Sequence, residues 1–149
     1  MPNGQDDVSA GAPNPDAYTD NLDGTVSDRV THLMWQQQVP TTGGPSEDGN
    51  LTWGAADAYC GTLSASGHDD WRLPSQVELV SLVDYSNMGQ GQPSIDSTAF
   101  PDTPLAAFWS STRLAGAETN AWAVYFDAGF TYAYDASDMG TVARVRCVR

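Results

Sequence analysis

From Trp53 onward the apolar positions return at helical spacing. Trp53, Ala56, Tyr59, Cys60 and Leu63 fall on one face of a 3.6-residue period. Thr52 stands where an N-cap belongs and Gly67 where such a helix should close. A second helix is predicted from Ser75. Pro74 precedes it, Glu78 three residues on completes a capping box, and Val77, Leu79, Val80, Leu82 and Val83 form its apolar face. Outside this pair the pattern becomes that of strands. Asp23-Gly24 marks a turn before a short extended stretch, and Leu33 to Gln37 follows as its partner, which predicts a hairpin. In the last third, Ala106–Ser111, Ala121–Asp127, Phe130–Tyr134 and Val142–Val148 alternate or are dense in aromatic and β-branched residues. Asp127-Ala128-Gly129 supplies a tight turn between two of them. Hairpin, two helices, long loop and antiparallel sheet make an α+β domain.

The punctuation between elements sets the domain limits. Residues 1–17 are rich in Asn, Asp, Gly and Pro without periodicity and read as a disordered lead or linker, leaving residues 18–149 as the domain. Residues 40–50 form one loop. Tyr85 to Pro104 forms a longer one, and a loop of that length in a compact domain is usually functional.

Charge narrows the partners. The chain has 16 Asp, three Glu, six Arg and no Lys, for a net charge of -13. A field of that sign repels phosphate backbones and anionic membrane surfaces, so nucleic acid and membranes are poor partners, and polyanionic ligands are disfavoured. No apolar run approaches the roughly 18 residues needed to cross a bilayer, which predicts no direct membrane insertion. The first 17 residues lack a charged start and an apolar stretch, so any export signal is expected to lie outside this chain. Cys60 and Cys147 sit far apart in no metal-type spacing, and with His32 and His68 they make a poor zinc set. They are either two buried thiols in a reducing compartment or one disulfide in an oxidising one.

A family then becomes visible. The runs Asp23-Gly24-Thr25-Val26-Ser27-Asp28, Leu33-Met34-Trp35-Gln36 and Trp53 to Cys60 come first. Asp70-Trp71-Arg72-Leu73-Pro74-Ser75 with Glu78-Leu79, Phe108-Trp109-Ser110-Ser111-Thr112, Ala121 to Phe126 and Val145 to Arg149 follow. In this order they resemble the Lcl C-terminal-like domain family, over about Tyr18 to Arg149. The resemblance implies a C-type-lectin-like fold of the formylglycine-generating-enzyme type, carried on exported or surface proteins of bacteria and used in adhesion or ligand binding. It also implies a Cys60–Cys147 disulfide, because such folds often bridge the first helix to the last strand. A loop of that size stabilises by roughly 4–5 kcal/mol in the chain-entropy model, and the bridge in turn favours an extracytoplasmic location.

Within that frame the candidate site residues fall into three groups. Asp20, Asp23 and Asp28 resemble a calcium loop but fail the EF-hand spacing, with Thr19 at the first position and Val30 at the twelfth. They remain the metal candidates, with solvated turn residues as the plainer reading. In the long loop, Gln92-Pro93-Ser94 resembles the triplets of calcium-dependent lectins, although Ser replaces their Asn or Asp and no Trp-Asn-Asp follows. Asn87 and Asp96 add oxygen donors there, as do Asp84 and Asp102. On the C-terminal strands, about half of the aromatic residues must face outward. Tyr125, Tyr132 and Tyr134 with Asp135 have the make-up of a recognition surface. Arg72, by contrast, is expected to tie up carbonyls or a nearby Asp beside inward-facing Trp71 and Leu73.

Nothing marks a catalytic centre. Both cysteines are committed to the implied disulfide, and neither histidine has a Ser or Cys nucleophile at recognisable spacing. The reading is therefore a non-enzymatic binding module for a protein or glycan ligand, with Ca2+ as a candidate cofactor and oligomerisation left open. The alternatives are a structural module of a fibrous or pilus-like protein, a receptor domain diversified by a retroelement, and a metal-dependent enzyme.

Overall fold

The capping signals close both helices into place. In the computed structural model, which describes residues 17–41, 49–87 and 91–149, helix α1 runs Trp53–Thr62, and the Thr52 side chain accepts from the Ala55 amide. It ends at Leu63, short of the expected stop at Gly67. Gly67 instead turns the chain between Ala65 and His68, which pair as an isolated bridge. Helix α2 runs Gln76–Ser81 with a complete capping box between Ser75 and Glu78.

Two three-stranded antiparallel sheets flank the helices. The first, β1 (Tyr18–Asp20), β2 (Thr25–Asp28) and β3 (Met34–Gln36), contains the expected hairpin, with Val26 opposite Trp35, plus an extra N-terminal strand. The second has β4 (Ala107–Leu114), β5 (Ala117–Tyr125) and β6 (Thr131–Asp135) in sequence order. Its register places Ala123 opposite Trp109 on one side and Tyr132 on the other, and β4 is irregular between Trp109 and Arg113. The expected last strand is not a ladder. Residues 143–148 form single bridges to Leu51, Phe108, Arg72 and Trp35 in turn, so the segment stitches both sheets and the loops between them.

The period of two in β4 and β5 divides the core. Phe108, Val124 and Phe126 pack with Leu79, Leu82 and Phe100. Their sequence neighbours Trp109 and Ala123 pack with Trp71, Cys60 and Val145 on the opposite side. Cys60 and Cys147 are bonded across 87 positions, joining α1 to the C-terminal segment.

Two expectations about orientation fail. Val77 is 78% exposed, because it lies two residues, roughly 200° around a helix, from buried Leu79. Arg72 points outward and forks onto both Glu78 carboxylate oxygens, 2.6 and 2.8 Å away. Its bidentate partner is a helix N-terminal acid and not a core carbonyl or Asp. The charge inside the core is Arg146, fully buried, donating to the Gln36 and Gln37 carbonyls and to the Thr103 hydroxyl. Of the expected lead, residues 1–16 lie outside the described residues, as do residues 42–48 of the first loop; Ala17 is described, and its carbonyl accepts from the Arg29 amide.

Candidate functional site

The outer end of the β5–β6 hairpin carries four aromatic rings in contact. Pairing across the turn is close: the Tyr125 amide donates to the Phe130 carbonyl and the Gly129 amide to the Tyr125 carbonyl. Phe130 therefore stacks on Tyr125, with centroids 4.4 Å apart and planes within 12°. Tyr134 lies 6.3 Å from Tyr125 and 4.9 Å from Tyr132, and the Tyr125 and Tyr134 hydroxyls are hydrogen-bonded to each other. Burial, reinforced by that bond, pushes the Tyr125 phenol up to about 12. The inner end of the array is fixed by Trp109, edge-on to Tyr134, whose indole nitrogen donates to the Leu51 carbonyl. The outer end is open: Phe130 is 48% and Tyr132 56% exposed.

Meeting the array at Phe130, and otherwise on the opposite face of the sheet from Tyr125, Tyr132 and Tyr134, lies a groove of about 650 Å³ between α2 and the hairpin. Val77 and Val80 form one wall, Ala128 to Thr131 the other, and Tyr85 closes the end with its hydroxyl donating to the Gly129 carbonyl at 2.8 Å. The exposure of Val77 that contradicts its expected burial is what furnishes this wall. A smaller hollow of about 250 Å³ borders Tyr125 and Tyr134 on the array's own face of the sheet, against Thr141 and Val142.

The structure thus brings Tyr125, Tyr132 and Tyr134 together, with Asp135 exposed at the end of the same strand. Of the long loop, Tyr85 reaches the groove beside Phe130. Ser94 is fully buried and cannot meet a ligand; its amide donates to the Phe126 carbonyl at 2.6 Å. Ile95, Ala99 and Phe100 are core residues, so that stretch of the loop is packed wall, while Ser97, Thr98 and Asp102 are exposed. Gln92 is exposed. Asn87 ends a short 3-10 turn begun at Tyr85, and its side chain lies outside the described residues. Asp96 caps its own turn by accepting from the Thr98 and Ala99 amides, and it borders a separate hollow with Tyr18, Asp20 and Arg29.

The acidic set at the first sheet is likewise used locally. Asp20 accepts from the Leu22 amide, Asp23 from the Thr25 amide and hydroxyl, and Asp28 from the Val30 amide and the Thr31 hydroxyl. Each carboxylate closes the turn that follows it, as Asp does in loops. Asp28 is also buried. The three carboxylates serve separate turns, and among the described residues no group of three His, Cys, Asp or Glu is placed to hold a metal ion.

Sequence reasoning missed Phe130, Tyr85 and Val77 as surface features. The α2 pattern held the signal for Val77, since five apolar residues in seven positions exceed what one helix face can bury. No helix among the described residues is long and apolar enough to cross a membrane. Comparison with curated proteins finds no match. The family model described as the Lcl C-terminal domain matches residues 24–149, from the turn before β2 through the β5–β6 hairpin to the last residue, and the chain belongs to that family.

Proposed function

We propose that this chain is an extracytoplasmic binding module that takes a protein or glycan ligand on the β5–β6 aromatic array and the adjoining groove, without turning it over. The array itself carries the reading. Four rings joined in a run from Phe130 through Tyr125 and Tyr134 to Tyr132, braced inside by Trp109 and half-exposed outside at Phe130 and Tyr132, form a rigid apolar surface with hydroxyls at its margin. Such residues give contact area at low conformational cost. An apolar groove with a few polar groups is the usual form of a ligand site. The disulfide supports export, because such bonds persist in oxidising compartments. The C-type-lectin-like description of the fold goes with this reading, and the net charge of -13 favours neutral or basic ligands over polyanions.

The test is a glycan-array and protein pull-down screen, run with and without chelator, on the wild type and on a Phe130→Ala/Tyr132→Ala double variant. A ligand is expected whose affinity falls at least about tenfold in the double variant. Ligands retained at full affinity by that variant, or none on either platform, would count against the assignment.

A further inference from the structure

The two long edges of the second sheet are treated differently. The outer edge of β4 is covered: the Trp109 amide donates to the Arg144 carbonyl, the Arg144 amide to the Ala107 carbonyl, and the Ser111 amide to the Pro74 carbonyl. The outer edge of β6 has no such cover. Hydrogen bonds from the Tyr125 amide to the Phe130 carbonyl and from the Ala136 amide to the Thr119 carbonyl fix the phase of the β5–β6 ladder. Antiparallel pairing alternates, so Tyr132 and Tyr134 turn their backbone groups toward β5. Thr131, Ala133 and Asp135 turn theirs outward, and among the described residues no chain meets them.

Natural sheets usually blunt such an edge with charged side chains, Pro, a bulge, a very short strand or a covering loop. The five-residue strand Thr-Tyr-Ala-Tyr-Asp has no Lys, Pro or bulge, and its one charge, Asp135, stands at its far end and leaves Thr131 to Tyr134 unguarded. The 650 Å³ groove adjoins the start of this edge, with Thr131 on its wall and α2 opposite. A strand laid along β6 would place alternate side chains over that groove, against Val77, Val80 and Phe130. Charge then selects the occupant. Asp127 and Asp135 bracket the edge, both exposed, and no basic side chain lines the groove. A second copy of this chain would bring another net charge of -13 to the same place.

We infer that β6 is a strand-addition site, taking an extended segment of a partner polypeptide with alternating apolar residues and Lys or Arg at its flanks. This rests on the binding reading above and narrows its ligand to a peptide chain. Main-chain pairing would supply affinity and the groove the side-chain preference.

The experiment selects linear ten-residue peptides from a displayed random library on the full chain, then tests synthetic copies of those enriched. Enriched peptides should alternate apolar residues and carry basic ends. Binding should slow hydrogen exchange at the Thr131, Ala133 and Asp135 amides. Ala133→Pro removes an outward N–H without touching the β5 ladder, a position where an edge strand tolerates proline, and it should weaken binding by about tenfold or more. Exchange in the wild type decides the matter should that variant fold poorly. Failure to enrich any peptide, unchanged affinity in Ala133→Pro, or unchanged exchange at those amides would overturn the inference. So would a dimer in light scattering that Ala133→Pro dissolves, since the edge would then serve a second copy. Loss of binding in Phe130→Ala with none in Ala133→Pro would leave the aromatic surface as a binding site and remove only the strand addition.

Discussion

The guanidinium of Arg146 lies 4.6 Å above the centre of the Phe100 ring, fully buried, and no carboxylate among the described residues pairs with it. Burial pushes it down to about 9, which leaves it charged at neutral pH. Two backbone carbonyls, at Gln36 and Gln37, and the Thr103 hydroxyl hold the charge instead. One planar fork thereby joins the first sheet, the long loop and the C-terminal segment. Arg146→Met should cost about 3 kcal/mol or more in urea denaturation, because it strands those buried acceptors. Arg146→Lys should not restore stability, since a single ammonium does not reproduce the fork. Near-native stability in the Lys variant would mean that charge alone suffices there.

The Cys60–Cys147 bond spans 87 positions and anchors the segment that stitches the two sheets. Reduction, or Ala at both positions, should cost about 4–5 kcal/mol. For a domain of this size that is a fall of roughly 10–20 °C in thermal midpoint. A fall of only a few degrees would show that the reduced chain keeps the segment docked without the bond.

The legible parts of this fold were those written locally. Thr52, Ser75 and Glu78 act within four residues of their partners, and their caps were readable from spacing. The inward alternation of Trp71 and Leu73 was readable in the same way. The disulfide came with the family resemblance, not with the spacing of two cysteines. What escaped depends on contacts made across the chain. Arg146 meets Gln37 across 109 positions, so nothing near either residue announces a buried cation. Ser94 sits in a stretch whose polar look suggests solvent, and its burial is set by the Phe126 carbonyl. Of the site, the three tyrosines were readable because strand alternation must turn some aromatics outward. The groove that meets Phe130 depends on how α2 is rotated against the hairpin, which periodicity left open.

The Glu78 carboxyl is held down to about 2 from an ordinary 4.5, first by its hydrogen bonds with Arg72 and then by those with Ser75, against the opposing effect of burial. A depressed folded-state value means stability present above the ordinary value and lost as pH falls from about 4.5 toward 2. Arg72 is half-exposed, so the contribution is modest, about 1 kcal/mol. Glu78→Gln keeps the capping geometry while removing the charge. The wild type should exceed it in denaturant midpoint at pH 7, and the difference should vanish by about pH 2. A difference independent of pH would point to the cap and away from the ion pair.

Tyr125 should ionise late. Its hydroxyl is partly buried and bonded to that of Tyr134, and it is pushed up to about 12. In an ultraviolet absorbance titration, Tyr134→Phe should move this step part of the way back and leave the share due to burial. An unchanged titration would mean that Tyr134 does not hold the ring, and the array would be looser at its inner end than the geometry implies.

Gly129 joins the array to the groove. Its φ of +69° is one that side chains resist, and a Cβ there would fall 2.7 Å from Tyr85 Cε1 and 2.9 Å from Val83 Cγ1. Val83 is in the core and cannot yield. Tyr85 could turn aside only by giving up its hydrogen bond to the Gly129 carbonyl. Gly116 offers the internal comparison, with a φ of +81° and open space around its missing Cβ. Gly116→Ala should cost only the backbone penalty, about 1 kcal/mol. Gly129→Ala should cost about 2–3 kcal/mol, the excess measuring the clash. It should also weaken any ligand that uses the Tyr85 end of the groove while sparing one that touches only Tyr132. Equal costs for the two variants would show that both Val83 and Tyr85 give way, and the groove would then be closed by a mobile ring and not by a fixed one.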